Sequence, residues 1–254
     1  MSQRWPDTLW VIRHGESQGN VARAAASAAS LTHIETGGRD ADVPLSALGE
    51  RQAVALGHWF ATLPVRERPE VILSSPYARA RRTAELIRDH ARLRVAPCDF
   101  TLDERLRERE FGILDRLTTH GIRSLHPDQA AHRRILGKFY HRPPGGESWC
   151  DVILRLRSAL DSVALHHGGA RVVIVAHQVV VLCLRYLIEN LTEAEILAVD
   201  READVPNCGV SEYRHDAARG RGGALVLRRW NWVAPLENEG ATVTAEPDAV
   251  TGVR

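Results

Sequence analysis

The 254-residue chain lacks the features that mark membrane proteins, secreted proteins and zinc proteins. No apolar run approaches the roughly 20 residues that a membrane-spanning helix needs. Residues 1–7 do not combine a basic segment with an apolar core, as a signal peptide would. The four cysteines are scattered and form no CxxC pair, so neither a zinc site nor a disulfide framework is predicted. They are Cys98, Cys150, Cys183 and Cys208. Together these absences predict a cytoplasmic protein with reduced thiols.

The chain also has no large excess of positive or of negative charge. The net charge is +1 at pH 7, so the overall charge does not favour binding to nucleic acid or to an anionic membrane. Lys138 is the only lysine, and we interpret the excess of arginine as a compositional bias. No repeat and no interdomain linker divides the chain. We therefore predict one domain over residues 1–233, followed by an irregular C-terminal tail over residues 234–254.

Three short apolar runs alternate with helical patterns. The runs Leu9–Ile12, Val71–Leu73 and Arg171–Ala176 are typical of buried parallel strands. Helices are predicted where a serine or threonine suits the N-cap position. Those caps are Ser46, Ser75 (followed by Pro76), Ser148 (with Asp151) and Thr192 (with Glu195). A further helix is predicted to follow His177 and to run to Asn190.

Strands that alternate with helices form βαβ units. The chain is therefore predicted to be an α/β protein, a three-layer α/β/α sandwich with a mostly parallel central sheet. Two late segments, Gly209–Tyr213 and Ala224–Trp230, are separated by a turn rich in glycine and arginine and predict an antiparallel hairpin.

A polar string follows the first strand directly, with Arg13, His14 and Gly15 at its start. The carboxyl end of a strand delivers side chains to the edge where open α/β sheets bind ligands, and a glycine there allows a ligand to approach the backbone closely. A histidine beside an arginine suits attack on phosphorus while the guanidinium holds the phosphate oxygens. His177 follows the third strand in the same way, which predicts two histidines at one phosphoryl group.

Five strings together resemble the histidine phosphatase superfamily, also called phosphoglycerate mutase-like, from about Leu9 to about Tyr213. The strings are Arg13-His14-Gly15-Glu16-Ser17 with Asn20, Ser74-Ser75-Pro76-x-x-Arg79-x-x-x-Thr83-Ala84, Leu106-x-Glu108-x-x-Phe111-Gly112, Pro143-Pro144-Gly145-Gly146-Glu147-Ser148 and Asp42-x-Pro44-Leu45-Ser46-x-x-Gly49. Each string alone is a short motif, and their common order along the chain carries the resemblance.

The resemblance implies roles for individual residues. It implies that His14 is the nucleophile that becomes a phosphohistidine, that Glu108 protonates the leaving oxygen, and that His177 stabilises charge in the transition state. The phosphate-binding residues that it implies are Arg13, Asn20, Arg79 and, in place of the usual glycine after the second histidine, Gln178. Ser17 and Arg109 are possible substrate-binding residues.

The residues leave some assignments open. Glu104 is an alternative acid to Glu108, although the distance in sequence from Phe111 favours Glu108. Glu110 is predicted to pair with a neighbouring arginine at the surface. We expect specificity to come from Val21–Asp40 and from Leu114–Arg142. Leu114–Arg142 contains His120, Arg123, His126, Arg133, Arg134, Lys138, His141 and Arg142.

The predicted activity is metal-independent hydrolysis of a phosphomonoester, with no cofactor. The short interval from Gly112 to Gly145 favours a phosphatase of this family over a mutase, which must shield its phosphohistidine from water. A phosphoglycerate mutase activity and a catalytically inactive phospho-ligand-binding protein are the alternatives. The expected partner is a small phosphorylated metabolite or sugar phosphate rather than nucleic acid or a membrane, and the sequence does not indicate an oligomeric state.

Overall fold

The computed structural model describes residues 3–93, 99–220 and 222–245, so Cys98 lies outside the described residues. Within these ranges six strands form one sheet with the order β3-β2-β4-β1-β5-β6. They are β1 (Thr8–Arg13), β2 (Val71–Ser74), β3 (Phe100–Leu102), β4 (Arg171–Ala176), β5 (Val210–Asp216) and β6 (Ala224–Trp232). Strands β3, β2, β4 and β1 are parallel, and β5 and β6 extend the sheet as an antiparallel hairpin. The predicted strands and the predicted hairpin are confirmed.

The helices of the described ranges cover both faces of the sheet. They are α1 (Gln18–Ala28), α2 (Ala47–Thr62), α3 (Ala78–His90), α4 (Thr119–Leu125), α5 (Pro127–Tyr140), α6 (Trp149–His166), α7 (Gln178–Glu189), α8 (Glu193–Glu202) and α9 (Ala234–Asn238). None of them, over residues 3–93, 99–220 and 222–245, combines the length and the apolar character that crossing a membrane requires.

Side chains alternate along β1 between two cores. Leu9 and Val11 belong to the core that includes α6 and α7, whereas Trp10 and Ile12 belong to the core that includes α2 and α3. Because successive strand residues point to opposite faces, a strand buried on both sides must be apolar at every position. This burial explains the continuous apolar runs of the sequence and confirms the three-layer α/β/α architecture.

Three of the predicted N-caps are confirmed, and one is wrong. The side chains of Ser46, Ser148 and Thr192 accept hydrogen bonds from the main chain three residues on. The helix predicted from Ser75 and Pro76 instead begins at Ala78. The hydroxyl of Ser75 lies 2.8 Å from a ring nitrogen of His177, so this serine is used at the sheet edge rather than as the cap of α3.

Part of the predicted tail is ordered against the sandwich. Residues 234–238 form helix α9, and Leu236 is fully buried in the core beside α2. Burying one leucine side chain stabilises the folded state by about 1.5–3 kcal/mol. Residues 234–238 are therefore helical and packed rather than irregular, whereas residues 241–245 have no regular secondary structure.

Candidate active site

The carboxyl ends of three parallel strands meet at one edge of the sheet. Arg13, the last residue of β1, pairs in register with Ala176, the last residue of β4. The residues that follow are therefore neighbours, and the ring centroids of His14 and His177 lie 5.1 Å apart. Both rings are buried. The structure thus brings together the two histidines that the sequence placed after separate strands.

Two contacts fix the orientation of the His14 ring. Its Nδ1 lies 2.7 Å from the carbonyl oxygen of Gly15, and its Nε2 accepts a hydrogen bond of 3.2 Å from Nε of Arg79. A carbonyl can only accept, so Nδ1 carries the proton, and a guanidinium can only donate, so Nε2 carries the lone pair. The neutral ring therefore presents a nucleophilic nitrogen beside a cationic side chain.

A carboxylate lies against the same guanidinium. Nη2 of Arg79 donates to Oδ2 of Asp40 at 2.9 Å, and Nη1 donates to the main-chain oxygen of Asp40 at 2.7 Å. Arg79 is buried, whereas Asp40 lies on a short turn after α1 and is half-buried. Arg79 therefore joins the nucleophilic ring to an acidic residue that the sequence analysis did not single out.

Glu108 lies beside His177. Its Oε1 accepts a hydrogen bond of 2.8 Å from the main-chain N–H of Arg109, and its Oε2 is 3.8 Å from Nδ1 of His177. Glu108 is buried, whereas Glu104 is exposed. Of the two candidate acids, only Glu108 is close to the histidine pair.

His177 is held in a neutral form. Its complete burial, together with the nearby positive charge of Arg79, keeps the pKa of His177 well below its usual range. The hydroxyl of Ser75 accepts from the main-chain N–H of Tyr77 at 3.3 Å and can donate to Nε2 of His177. With that donor in place, the remaining ring proton lies on Nδ1, the nitrogen that faces Glu108.

A cavity opens beside His14. Its lining is His14, Ser17, Gly19, Asn20, Arg23, Ile34, Thr36, Asp40, Arg79, Glu108, Phe111, Asp115 and Arg116. The two segments in which we expected specificity both contribute, through residues 23–40 and through Asp115 and Arg116. Burial, followed by the nearby charge of Asp40, raises the pKa of Asp115. Over the described ranges, no cluster of three histidine, cysteine, aspartate or glutamate residues could hold a metal ion.

Most of the charged lining residues lie outside the motif strings. Arg23, Asp40, Asp115 and Arg116 line the cavity, but none of them belongs to a motif string. The other basic residues of 114–142 lie elsewhere. Lys138, for example, forms an ion pair with Asp200, whereas Arg116 is the basic residue of this segment that lines the cavity.

Three of the predicted binding residues have structural partners. Asn20 lines the cavity, but its Oδ1 accepts from the main-chain N–H of Ser17, and the hydroxyl of Ser17 caps α1 in return. Nη1 of Arg13 donates to the carbonyl of Val205 at 2.5 Å. Ser17 is therefore engaged as a helix cap, and Arg13 is anchored to the loop before β5.

Two other candidates, Gln178 and Arg109, are not among the residues that line the cavity. Nε2 of Gln178 donates to Asp204 at 3.1 Å. Nε of Arg109 donates to the carbonyl of Glu147 at 2.6 Å, and burial lowers the pKa of Arg109 to about 10. Arg109 thus ties the Glu108 segment to the Pro143–Ser148 loop. The predicted arginine partner of Glu110 is wrong, since its Oε1 accepts from the hydroxyl of Tyr77 at 3.0 Å.

Comparisons with known proteins identify the family of the chain. The family model of the histidine phosphatase superfamily (branch 1) matches residues 9–232. A probable phosphoglycerate mutase GpmB of Salmonella choleraesuis (strain SC-B67) is 32% identical over 231 residues, which cover 90% of this chain and 94% of that protein.

Two solved structures share the fold. A mycobacterial glucosyl-3-phosphoglycerate phosphatase in complex with inorganic phosphate is 25% identical, with a TM-score of 0.67 over 90% of this chain and 99% of that one. A putative alpha-ribazole-5'-P phosphatase from Escherichia coli is 19% identical, with a TM-score of 0.68 over 89% of this chain and 96% of that one, and supports the fold alone. The chain therefore belongs to the histidine phosphatase superfamily, branch 1.

Proposed function

We propose that the protein hydrolyses the phosphomonoester of a small metabolite or sugar phosphate through a phosphohistidine, without a metal ion. The observation that carries this proposal is the state of the His14 ring. Its Nδ1–H donates to the carbonyl of Gly15, which leaves the lone pair on Nε2. Nε2 accepts from Nε of Arg79, and both residues line the cavity. A neutral imidazole held in this way is prepared for attack on phosphorus.

In the first step, Nε2 of His14 forms a bond to phosphorus while the bond between phosphorus and the alcohol oxygen breaks. The carboxyl group of Glu108 gives its proton to that departing oxygen. Arg79 and the Nδ1–H of His177 stabilise the charge on the phosphoryl oxygens, together with Arg13, Asn20 and the main-chain N–H of Gln178.

In the second step, the carboxylate of Glu108 takes a proton from water, and the water oxygen attacks phosphorus. The bond between phosphorus and Nε2 breaks, which releases inorganic phosphate and restores both His14 and the protonated Glu108. Because cationic and neutral donors of the protein can balance the charge of the phosphoryl group, we expect no requirement for a divalent cation.

The named relatives include both a phosphatase and a probable mutase, so family membership alone does not decide between hydrolysis and transfer. The short interval between Gly112 and Gly145 supports hydrolysis, because little chain is available there to shield a phosphohistidine from water. The compound named for the mycobacterial relative, glucosyl-3-phosphoglycerate, is a phosphomonoester that carries a sugar, which supports sugar-containing phosphomonoesters as the first substrates to test.

The experiment measures hydrolysis of p-nitrophenyl phosphate in EDTA and labelling by a ³²P-phosphoester after rapid quenching. We expect turnover and an acid-labile, base-stable label in the wild type, and neither in His14→Asn. His166→Asn, at an exposed histidine at the end of α6, is the control. Turnover by His14→Asn would contradict the proposal.

Two further results would favour the alternatives. Rapid isomerisation of 3-phosphoglycerate primed with 2,3-bisphosphoglycerate, without phosphate release, would identify a mutase. Binding of phosphate esters without any label on His14 would identify a catalytically inactive binding protein.

A further inference from the structure

The segment 242–244 lies beyond the family match, which ends at residue 232. Two buried side chains link this segment to the backbone of residues 14–16. The first is Gln52 of α2, which is fully buried. Its Nε2 donates to the carbonyl of Thr242 at 2.9 Å and to Oγ1 of Thr244 at 3.0 Å. Its Oε1 accepts from the main-chain N–H of Glu16 at 2.8 Å.

The second is Asn207, which is also fully buried. Its Nδ2 donates to the carbonyl of His14 at 3.1 Å, and its Oδ1 accepts from the hydroxyl of Thr244 at 3.0 Å. The main-chain N–H of Asn207 donates to the carbonyl of Thr244 at 2.8 Å. Both the nitrogen and the oxygen of the Asn207 side-chain amide are therefore hydrogen-bonded.

The hydroxyl of Thr244 is hydrogen-bonded to both Gln52 and Asn207. A hydroxyl has one donor and two acceptor positions, so it can accept from Gln52 and donate to Asn207 at the same time. Asn207 is bonded to the carbonyl of His14, and Gln52 is bonded to the N–H of Glu16. These two groups flank Gly15. Since the carbonyl of Gly15 holds Nδ1 of His14, these two bonds restrain the peptide groups that orient the ring.

We propose that Thr244 is a positioning residue for the nucleophile, acting through Gln52 and Asn207. This inference rests on the proposed function, in which His14 attacks phosphorus. In-line attack requires a near-attack geometry, and a displacement of about 1 Å can reduce the rate about a hundredfold. The contribution of Thr244 is to hold the His14–Glu16 backbone in that geometry without touching the substrate.

Thr242 offers a matched control in the same segment. It contributes its main-chain carbonyl to Gln52, and its side chain is exposed, so replacing that side chain keeps the hydrogen bond. The experiment compares three variants. Thr244→Val removes the hydroxyl that contacts Gln52 and Asn207 at nearly constant volume, and Thr244→Ser keeps a hydroxyl. Thr242→Val is the control. Single-turnover release of p-nitrophenol reports phosphorylation of His14.

We expect Thr244→Val to phosphorylate about tenfold more slowly, with KM changed by less than about twofold. Thr242→Val should retain the wild-type rate, and Thr244→Ser should recover most of it. Circular dichroism and thermal melting establish that each variant is folded at the assay temperature. If Thr244→Val does not fold, Thr244→Ala and Thr242→Ala are compared in its place.

A wild-type rate in Thr244→Val, an equal loss in Thr242→Val, or no recovery in Thr244→Ser would overturn the inference. These outcomes differ from a failure of the proposed function, in which the wild type itself would form no phosphohistidine.

Discussion

The carboxylate of Asp40 binds the guanidinium of Arg79 within the cavity that His14 also lines. The Arg79 Nη2 to Asp40 Oδ2 distance is 2.9 Å, and Nη1 also lies 3.2 Å from Oδ1. The same guanidinium donates through Nε to His14. Arginine can bind either a carboxylate or a phosphate through two parallel N–H donors. A phosphoryl group at His14 would use the same N–H donors of Arg79 that Asp40 now occupies. We therefore expect Asp40 to compete with the phosphate of the substrate for Arg79.

Replacement of Asp40 should strengthen phosphate binding. We expect Asp40→Asn to lower the KM for p-nitrophenyl phosphate and the inhibition constant of inorganic phosphate by about three- to tenfold, since a neutral amide competes less well for Arg79. Asp42→Asn is the matched control, because the Asp42 side chain is exposed and bound by Arg39. Steady-state kinetics of the three proteins provide the measurement. An unchanged or raised inhibition constant in Asp40→Asn would show that Asp40 does not compete.

Glu108 should matter most where the leaving group is a poor one. We expect Glu108→Gln to lower kcat for an alkyl phosphate by about 10²–10⁴-fold, because the alkoxide then leaves without a proton. The loss for p-nitrophenyl phosphate should be much smaller in the first step, since nitrophenolate leaves readily. Single-turnover rates with the two substrates separate these effects.

Glu104→Gln is the control for this prediction, because Glu104 is exposed and lies in the neighbouring turn. Equal losses for both leaving groups in Glu108→Gln would argue against a role as general acid. A larger loss in Glu104→Gln would transfer that role to Glu104.

The order of strands and helices could be predicted because it depends on local patterns. Continuous apolar runs such as Val172–Val175 identify strands buried on both faces, and Ser148 with Asp151 identifies a helix start from four residues alone. The convergence of His14 and His177 depends in addition on the pairing of β1 with β4. Once β1 and β4 are parallel neighbours, residues that follow them must meet at one edge.

The rest of the site depends on contacts between distant segments, which local patterns do not encode. Asp40 is one acidic residue among many until the turn that carries it is placed against Arg79. Ser75 has the sequence of a helix cap, but its hydroxyl is used by His177. Thr244 lies in a polar, tail-like stretch, and only tertiary structure shows its contact with Asn207.

A buried histidine outside the cavity lining should make stability depend on pH. His141 is buried, and both of its ring nitrogens lack a hydrogen-bond partner among the described residues. Burial, followed by the nearby charges of Arg133 and Arg109, lowers the pKa of His141 to about 4 from a usual value of 6.5.

Between pH 6.5 and 4 the unfolded chain therefore binds a proton at this site that the folded chain does not bind. The free energy of unfolding should fall as the pH falls through this window, by at most about 1.4 kcal/mol per pH unit for one proton. We expect His141→Leu to reduce that slope, because leucine does not titrate. Urea unfolding at pH 7.0, 6.0 and 5.0 provides the measurement. Parallel stability curves for the wild type and His141→Leu would show that His141 titrates alike in both states, whatever the absolute stability of the variant.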